Sequence, residues 1–235
     1  METFKARLVA KGFTQRERIN YEETFSPVAM LKSIKNLLSI VAHLDYMIWQ
    51  MDVHTTFLNG DLQERIYVAQ PKGFIKKGHE HEICELHRSI YGLKQASQSW
   101  NIRFDTTIKS YGFQQNADKP CIYTRIQDKK VVFLGLYVDD ILLIRNDIGM
   151  LSTIKGWLYQ QFNMKDLGSS YVLRIKLIRD HKNKQMALSK GSYIDKILAK
   201  LAMQEFKKGF MPSRHGIQLS KDKSPKTSKE VENMR

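Results

Sequence analysis

The tetrapeptide Tyr137-Val138-Asp139-Asp140 lies between two apolar runs, residues 131–136 and 141–144. Both runs are rich in β-branched and other large apolar side chains, which predicts two strands of a hairpin. Two adjacent carboxylates fit badly in such an element, because desolvating an unpaired charge costs several kcal/mol. Two readings are open: the pair is a solvated turn, where Asp is tolerated, or a divalent cation offsets the cost. A third carboxylate in a similar setting favours the cation. Asp52 follows Ile48-Trp49-Gln50-Met51, which also has the pattern of a strand end. Three carboxylates from two neighbouring strands form a hard-oxygen cage suited to Mg2+, with Mn2+ as a substitute. Two such ions about 4 Å apart are the usual apparatus of in-line phosphoryl transfer.

At 235 residues the chain can bury one sizeable core, or one domain with satellite subdomains. Its net charge of +14 and pI near 9.7 point to a polyanionic partner, nucleic acid first. A merely basic surface would give the same numbers. Cys84 and Cys121 form no disulfide framework, which fits a reducing, intracellular compartment, cytoplasmic or nuclear. No apolar run approaches the ~20 residues that span a bilayer, so no membrane partner is expected. His79, His81, Cys84 and His87 are metal-binding residue types, but their spacing fits no tight structural zinc pattern.

Along the chain, residues 4–11 alternate as a strand would. Ser26-Pro27 reads as a helix start, followed by helical spacing through Leu31, Ile34, Leu37, Leu38, Val41 and Leu44. After the Asp52 strand comes a turn at Asn59-Gly60-Asp61, then short strands at 66–69 and 83–86 separated by a basic loop. A helix through Trp100, Phe104 and Ile108 stops near Gly112. Beyond the aspartate hairpin, a helix carries Leu151, Ile154, Leu158 and Phe162. Residues 171–178 and 186–189 form a second hairpin across Lys182-Asn183-Lys184, and an amphipathic helix begins near Ser192. Mixed elements in this order predict an α+β fold, a sheet layer with helices packed on one face.

Six motifs stand in order: Lys5-Ala-Arg-Leu-Val-Ala-Lys-Gly-Phe-Thr-Gln15, Tyr21-Glu-Glu-Thr-Phe-Ser-Pro-Val28, Gln50-Met-Asp-Val53, Phe57-Leu-Asn-Gly-Asp61, Tyr91-Gly-Leu-Lys-Gln-Ala-Ser97 and Tyr137-Val-Asp-Asp140. With them the chain resembles the reverse transcriptases of Ty1/copia-type LTR retrotransposons, in the plant-like style. The resemblance implies a right-hand polymerase: fingers, an antiparallel palm sheet and the beginning of a thumb. It covers residues 1–214, with a thumb-like helix at about 190–204 and a flexible basic tail or truncated connection at 215–235. The activity it implies is RNA-directed DNA synthesis on an RNA or DNA template with a primer, from dNTPs. The rest of the retrotransposon polyprotein, integrase and RNase H, would be its partners, in a cytoplasmic virus-like particle or the nucleus.

Carried over by motif, Asp52, Asp139 and Asp140 and the Val53 carbonyl would hold the two magnesium ions. Thr55 and Thr56 fall where backbone amides meet the triphosphate. Phe57 matches the aromatic gate that excludes a ribose 2′-hydroxyl, although a core aromatic on a strand fits the same position. Gln95 matches a glutamine near the incoming base and sugar, or else begins the Trp100 helix on the surface. Lys5 or Arg7 would meet the γ-phosphate, and Lys165 would protonate pyrophosphate; each is equally compatible with a solvated cation. Leu173 and Arg174 fall at the turn that grips the primer.

Two departures from the family pattern bear on activity. Copia-type enzymes usually read Leu-Gly-Ile at that turn, where this chain has Leu173-Arg174-Ile175. After Val53 stands His54-Thr55-Thr56, where Lys-Thr-Ala is more usual. The sequence also opens inside the first fingers strand and closes before any RNase H sequence, as a truncated copy would. The alternative to an enzyme is a non-catalytic, basic nucleic-acid-binding remnant with the same fold.

Overall fold

The computed structural model describes residues 4, 6–127, 130–146, 148–205 and 224–232. The chain divides into two compact units, Met1–Gly191 and Ser192–Arg235.

The first unit is built on an antiparallel six-stranded sheet. Its strands are β1 (Met47–Val53), β4 (Gln114–Gln115), β5 (Ile122–Gln127), β6 (Lys130–Tyr137), β7 (Asp140–Arg145) and β8 (Met164–Gly168). Their spatial order is β4-β5-β6-β7-β1-β8. The apolar run after the aspartates therefore becomes a central strand, buried on both faces. Ile141, Leu142, Leu143 and Ile144 are fully inaccessible, which explains why that segment is apolar throughout rather than alternating.

Side chains of β7 alternate between two cores. Ile141 and Leu143 face α2 (Ala96–Ser110) and α3 (Ile148–Gln161), where Trp100, Phe104, Ile108, Ile154 and Leu158 meet Met51 and Val53. Leu142 and Ile144 face α1 (Leu31–His43), through Ile34, Leu37, Leu38 and Val41. The expectation of helices on one face is therefore corrected: α2 and α3 share a face, and α1 covers the other. An amphipathic pattern marks which side of a helix is buried, not which face of a sheet receives it.

A three-stranded sheet, β9 (Tyr171–Val172), β10 (Ile175–Asp180) and β11 (Gln185–Ser189), packs beside α1, with Val172, Leu177 and Met186 in the same core. Arg179 fastens it. Its guanidinium donates to the Val41 carbonyl at 3.0 Å, to the Tyr46 carbonyl, and to Asp45 Oδ1 at 2.7 Å, at the C-terminal end of α1. The segment 171–178 is thus two strands rather than one. Its alternation runs on through the two-residue turn Leu173-Arg174, so periodicity alone does not reveal the reversal.

Strands β2 (Asp61–Ala69) and β3 (Ile83–Arg88) form a separate ribbon. The expected N-terminal strand is absent among the described residues, where Val9 makes a single bridge to Tyr91. Close packing holds this segment instead. A Cβ on Gly12 would stand 1.8 Å from the Gly92 carbonyl oxygen, and one on Gly92, at φ +90°, 2.2 Å from that of Ala10. The first helix begins at Leu31, not at Ser26-Pro27. Met30 at its start is extended, and Ala29 is buried in the α1-side core, so burial outweighs the hydroxyl cap. Three strands of the six-stranded sheet lay outside the reading of the sequence: β4, β5 and β8. In β8 only Met164 is buried, which leaves little apolar signal.

The second unit contains most of α4 (Gly191–Lys200), as expected from about Ser192, and the short helix α5 (Ser228–Glu232). No helix among the described residues is long and apolar enough to cross a membrane.

Candidate active site

The aspartates meet at one end of the inner strands β1 and β7 because register demands it. In the β1–β7 pair, Asp52 stands directly opposite Asp140. In the β6–β7 hairpin, Tyr137 pairs with Asp140, leaving Val138 and Asp139 as a two-residue turn. Residues 48, 50 and 52 share a face of β1, the face that Leu142, Ile144 and Asp140 take on β7. All three carboxylates are half-buried.

The turn is strained and tightly tethered. Val138 has φ +58°, a conformation that a β-branched residue rarely adopts. Trp100 Nε1 donates to the Val138 carbonyl at 2.8 Å, and the Val53 amide donates to the Asp139 carbonyl at 2.9 Å. One tether comes from α2 and the other from the strand that carries Asp52. Strain of this kind, on the order of 1–3 kcal/mol, persists only where the surroundings over-determine it.

Burial pushes the Asp140 carboxyl up to about 6, and the neighbouring Asp139 and Asp52 charges push the same way. A hydrogen bond from Gln50 and the positive charge of Arg174 oppose the rise. Gln50 Nε2 lies 2.6 Å from Asp140 Oδ1. Among the described residues, no three His, Cys, Asp or Glu side chains are grouped to hold a metal unaided. The donor chemistry nevertheless fits a hard cation. A desolvated carboxylate beside two others is stabilised by positive charge, and substrate oxygens complete the shell of such ions.

The other expected residues are dispersed around this end. Lys165 lies on β8 opposite Asp52, exposed. Thr55, at φ +49°, is exposed, whereas Thr56 is buried and its hydroxyl donates to the Val53 carbonyl at 3.0 Å. Asn59 Nδ2 stands 3.3 Å from the carbonyls of His54, Thr55 and Thr56, and so fixes the loop after Asp52. Phe57, in the 3-10 turn Thr56–Asn59, packs edge-on against Tyr91 with centroids 5.0 Å apart. The Arg7 guanidinium lies 5.5 Å from the Tyr91 ring centre. Lys5 lies outside the described residues. Gln95 is buried: Gln15 Nε2 donates to its Oε1, and its Nε2 donates to the Asn20 carbonyl, both at 3.1 Å. Leu173 and Arg174 have φ +50° and +65°. Of the candidate metal-binding histidines, His79 pairs with Glu82 at 2.6 Å.

Three site-shaping residues escaped the reading of roles: Gln50, Tyr91 and Trp100. A signal for Gln50 was present, a polar side chain on the inward parity of an apolar strand. Nothing in the spacing of Trp100 distinguishes a hydrogen-bonding indole from a core aromatic.

Comparison with known proteins gives the family of this chain. Residues 1–214 match the family described as reverse transcriptase (RNA-dependent DNA polymerase), and the chain belongs to it. Among curated relatives, the retrovirus-related Pol polyprotein from transposon TNT 1-94 of Nicotiana tabacum is 41% identical over 233 residues, 98% of this chain and 18% of that protein. The Pol polyprotein from transposon RE1 of Arabidopsis thaliana is 37% identical, over 71% of this chain and 11% of its own length. The putative transposon Ty5-1 protein YCL074W of Saccharomyces cerevisiae is 32% identical over 74% of this chain and 57% of its own. These are the Ty1/copia-type relatives that the motifs resemble. The chain spans less than a fifth of the two plant polyproteins. No solved structure matches it.

Proposed function

We propose that this domain is an RNA-directed DNA polymerase that adds deoxynucleotides to a primer 3′-hydroxyl and releases pyrophosphate. The observation that carries the reading is the register pairing of Asp52 with Asp140, beside a strained turn that presents Asp139. In this reading the six-stranded sheet is a palm, the segment around Arg7 and Tyr91 belongs to fingers, and α4 begins a thumb. Asp52, Asp139, Asp140 and the Val53 carbonyl are the residues that would hold two Mg2+ or Mn2+ ions. When bound, the ions neutralise triphosphate charge and lower the pKa of the primer hydroxyl.

The chain's own residues orient and discriminate. Thr55 and Thr56 offer backbone amides to the triphosphate, from a loop that Asn59 holds. Lys5 or Arg7 supplies positive charge toward the γ-phosphate, and Lys165 gives a proton to the departing pyrophosphate. Phe57, braced by Tyr91, is the gate against a 2′-hydroxyl. Gln95 acts near the base through the segment it ties to the start of α2. Leu173 and Arg174 hold the primer end. Template, primer, dNTPs and the other polyprotein domains are the partners.

The test is primer extension on an RNA template with Mg2+. Deoxynucleotides should be incorporated, and Asp139→Asn should abolish incorporation without lowering the melting temperature. Phe57→Ala should admit ribonucleotides while leaving the Mg2+ requirement unchanged. Duplex binding should weaken steeply as salt rises. Extension that survives Asp139→Asn, or a flat salt response, removes the reading.

A further inference from the structure

Gln50 touches the two parts of the site that the proposed reaction requires to move together. It lies on β1, two residues before Asp52 and on the same face, and its side chain is only 2% exposed. Nε2 donates to Asp140 Oδ1 at 2.6 Å, and Oε1 accepts from the Leu173 amide at 3.0 Å. The orientation of the amide is dictated by its partners: an ionised carboxylate accepts and a backbone N–H donates, so the reversed amide would satisfy neither. The strut therefore runs from the turn at Leu173-Arg174 through β1 to a carboxylate at the hairpin end.

The turn needs such support. Leu173 and Arg174 both occupy the left-handed region, as the two central residues of a type I′ turn must, and neither is glycine. On the far side, Asp140 is a desolvated carboxylate with two like charges nearby, and it gains from a fixed donor.

We propose that Gln50 is a positioning residue, coupling the turn at Leu173-Arg174 to the Asp140 carboxylate so that primer end and cation site keep one geometry. This rests on the polymerase reading given above. Gln50 acts through the two groups it joins. A displacement of about 1 Å at a reacting centre costs on the order of a hundredfold in rate, so a strut of this kind acts on turnover more than on binding.

The test has one arm that needs no activity. In the metal-free protein, Gln50→Leu should speed hydrogen exchange of the Leu173 amide by about tenfold, with the Leu142 amide unchanged. Asp140→Ala, which takes away the other end of the strut, should also speed exchange at Leu173. Gln50→Glu keeps the acceptor for that amide but cannot donate to an ionised Asp140. It should therefore speed exchange at Leu173 about as much as Asp140→Ala does, and it serves if the Leu variant does not fold. In the kinetic arm, Gln50→Leu and Gln50→Glu should both lower kcat for single-nucleotide extension by about tenfold or more, with the KM for primer–template within about twofold. Unchanged exchange at Leu173 in both Gln50→Leu and Asp140→Ala overturns the strut, as does a KM effect without a kcat effect. An unmodified protein that does not extend primers, yet shows the exchange pattern, leaves the strut standing and overturns the polymerase reading.

Discussion

The Val138-Asp139 and Leu173-Arg174 hairpin turns both place non-glycine residues in the left-handed region, and the structure holds them very differently. The Val138-Asp139 turn is tethered by the Trp100 indole, by the Val53 amide and, next to it, by Gln50 on Asp140. The Leu173-Arg174 turn has the Gln50 side chain on the Leu173 amide, with Arg174 exposed. Strain at the first is fixed in place by a packed core, and it presents Asp139 beside Asp52. Strain at the second is doubled and lightly restrained. Backbone distortion is useful where neighbours over-determine it and costly where they do not.

The largest effect that can test this contrast comes from the carboxylates. If the proposed cation site is right, Asp140→Asn should lower primer extension by on the order of a thousandfold, because a cation held there would contribute several kcal/mol to the transition state. The metal-free fold should be no less stable, since the variant removes a desolvated charge.

Trp100→Phe keeps most of the ring contact but leaves the Val138 carbonyl without its indole donor. It should cost about 1 kcal/mol in unfolding free energy, read from denaturant midpoints, and about tenfold or more in extension rate. If the rate is unchanged, the tethering of that turn has no functional meaning.

Glycine substitutions come next and should behave oppositely at the two turns. Arg174→Gly relieves a left-handed residue and should stabilise the fold by roughly 1 kcal/mol, raising extension severalfold with little change in duplex affinity. Val138→Gly relieves comparable strain but loosens a turn already in place, so it should bring no gain in rate. The contrast fails if both glycines accelerate extension equally.

Much of the site was legible because charge in an apolar run is conspicuous. Asp139-Asp140 and Asp52 were found by that anomaly, and the hairpin, α2 and α3 by the periodicity of their apolar residues. What stayed hidden depends on contacts between distant segments. The Arg179 fork on the end of α1, the interlock of Gly12 with Gly92 and the bonds of Gln95 join residues 75 to 138 positions apart. Leu173-Arg174 shows the limit from the other side. Motif resemblance located the turn, while strand alternation ran straight through it.

The pH dependence of cation binding tests the central claim, that Asp140 shares a cation with Asp52 and Asp139. Burial and its two like-charged neighbours raise Asp140 from an ordinary value of 3.8 to about 6. Between those values the folded protein binds more protons than the unfolded chain, so this group's contribution to metal-free stability falls as pH rises through the window. A cation competes with the same proton. The decisive measurement is Mn2+ titration followed by electron paramagnetic resonance, at about pH 7.5 and about pH 5, on the unmodified protein and on Asp140→Asn. Affinity should fall sharply at the lower pH in the unmodified protein, and the variant should bind weakly at both. Equal Mn2+ affinity in the two proteins at the higher pH would contradict the account.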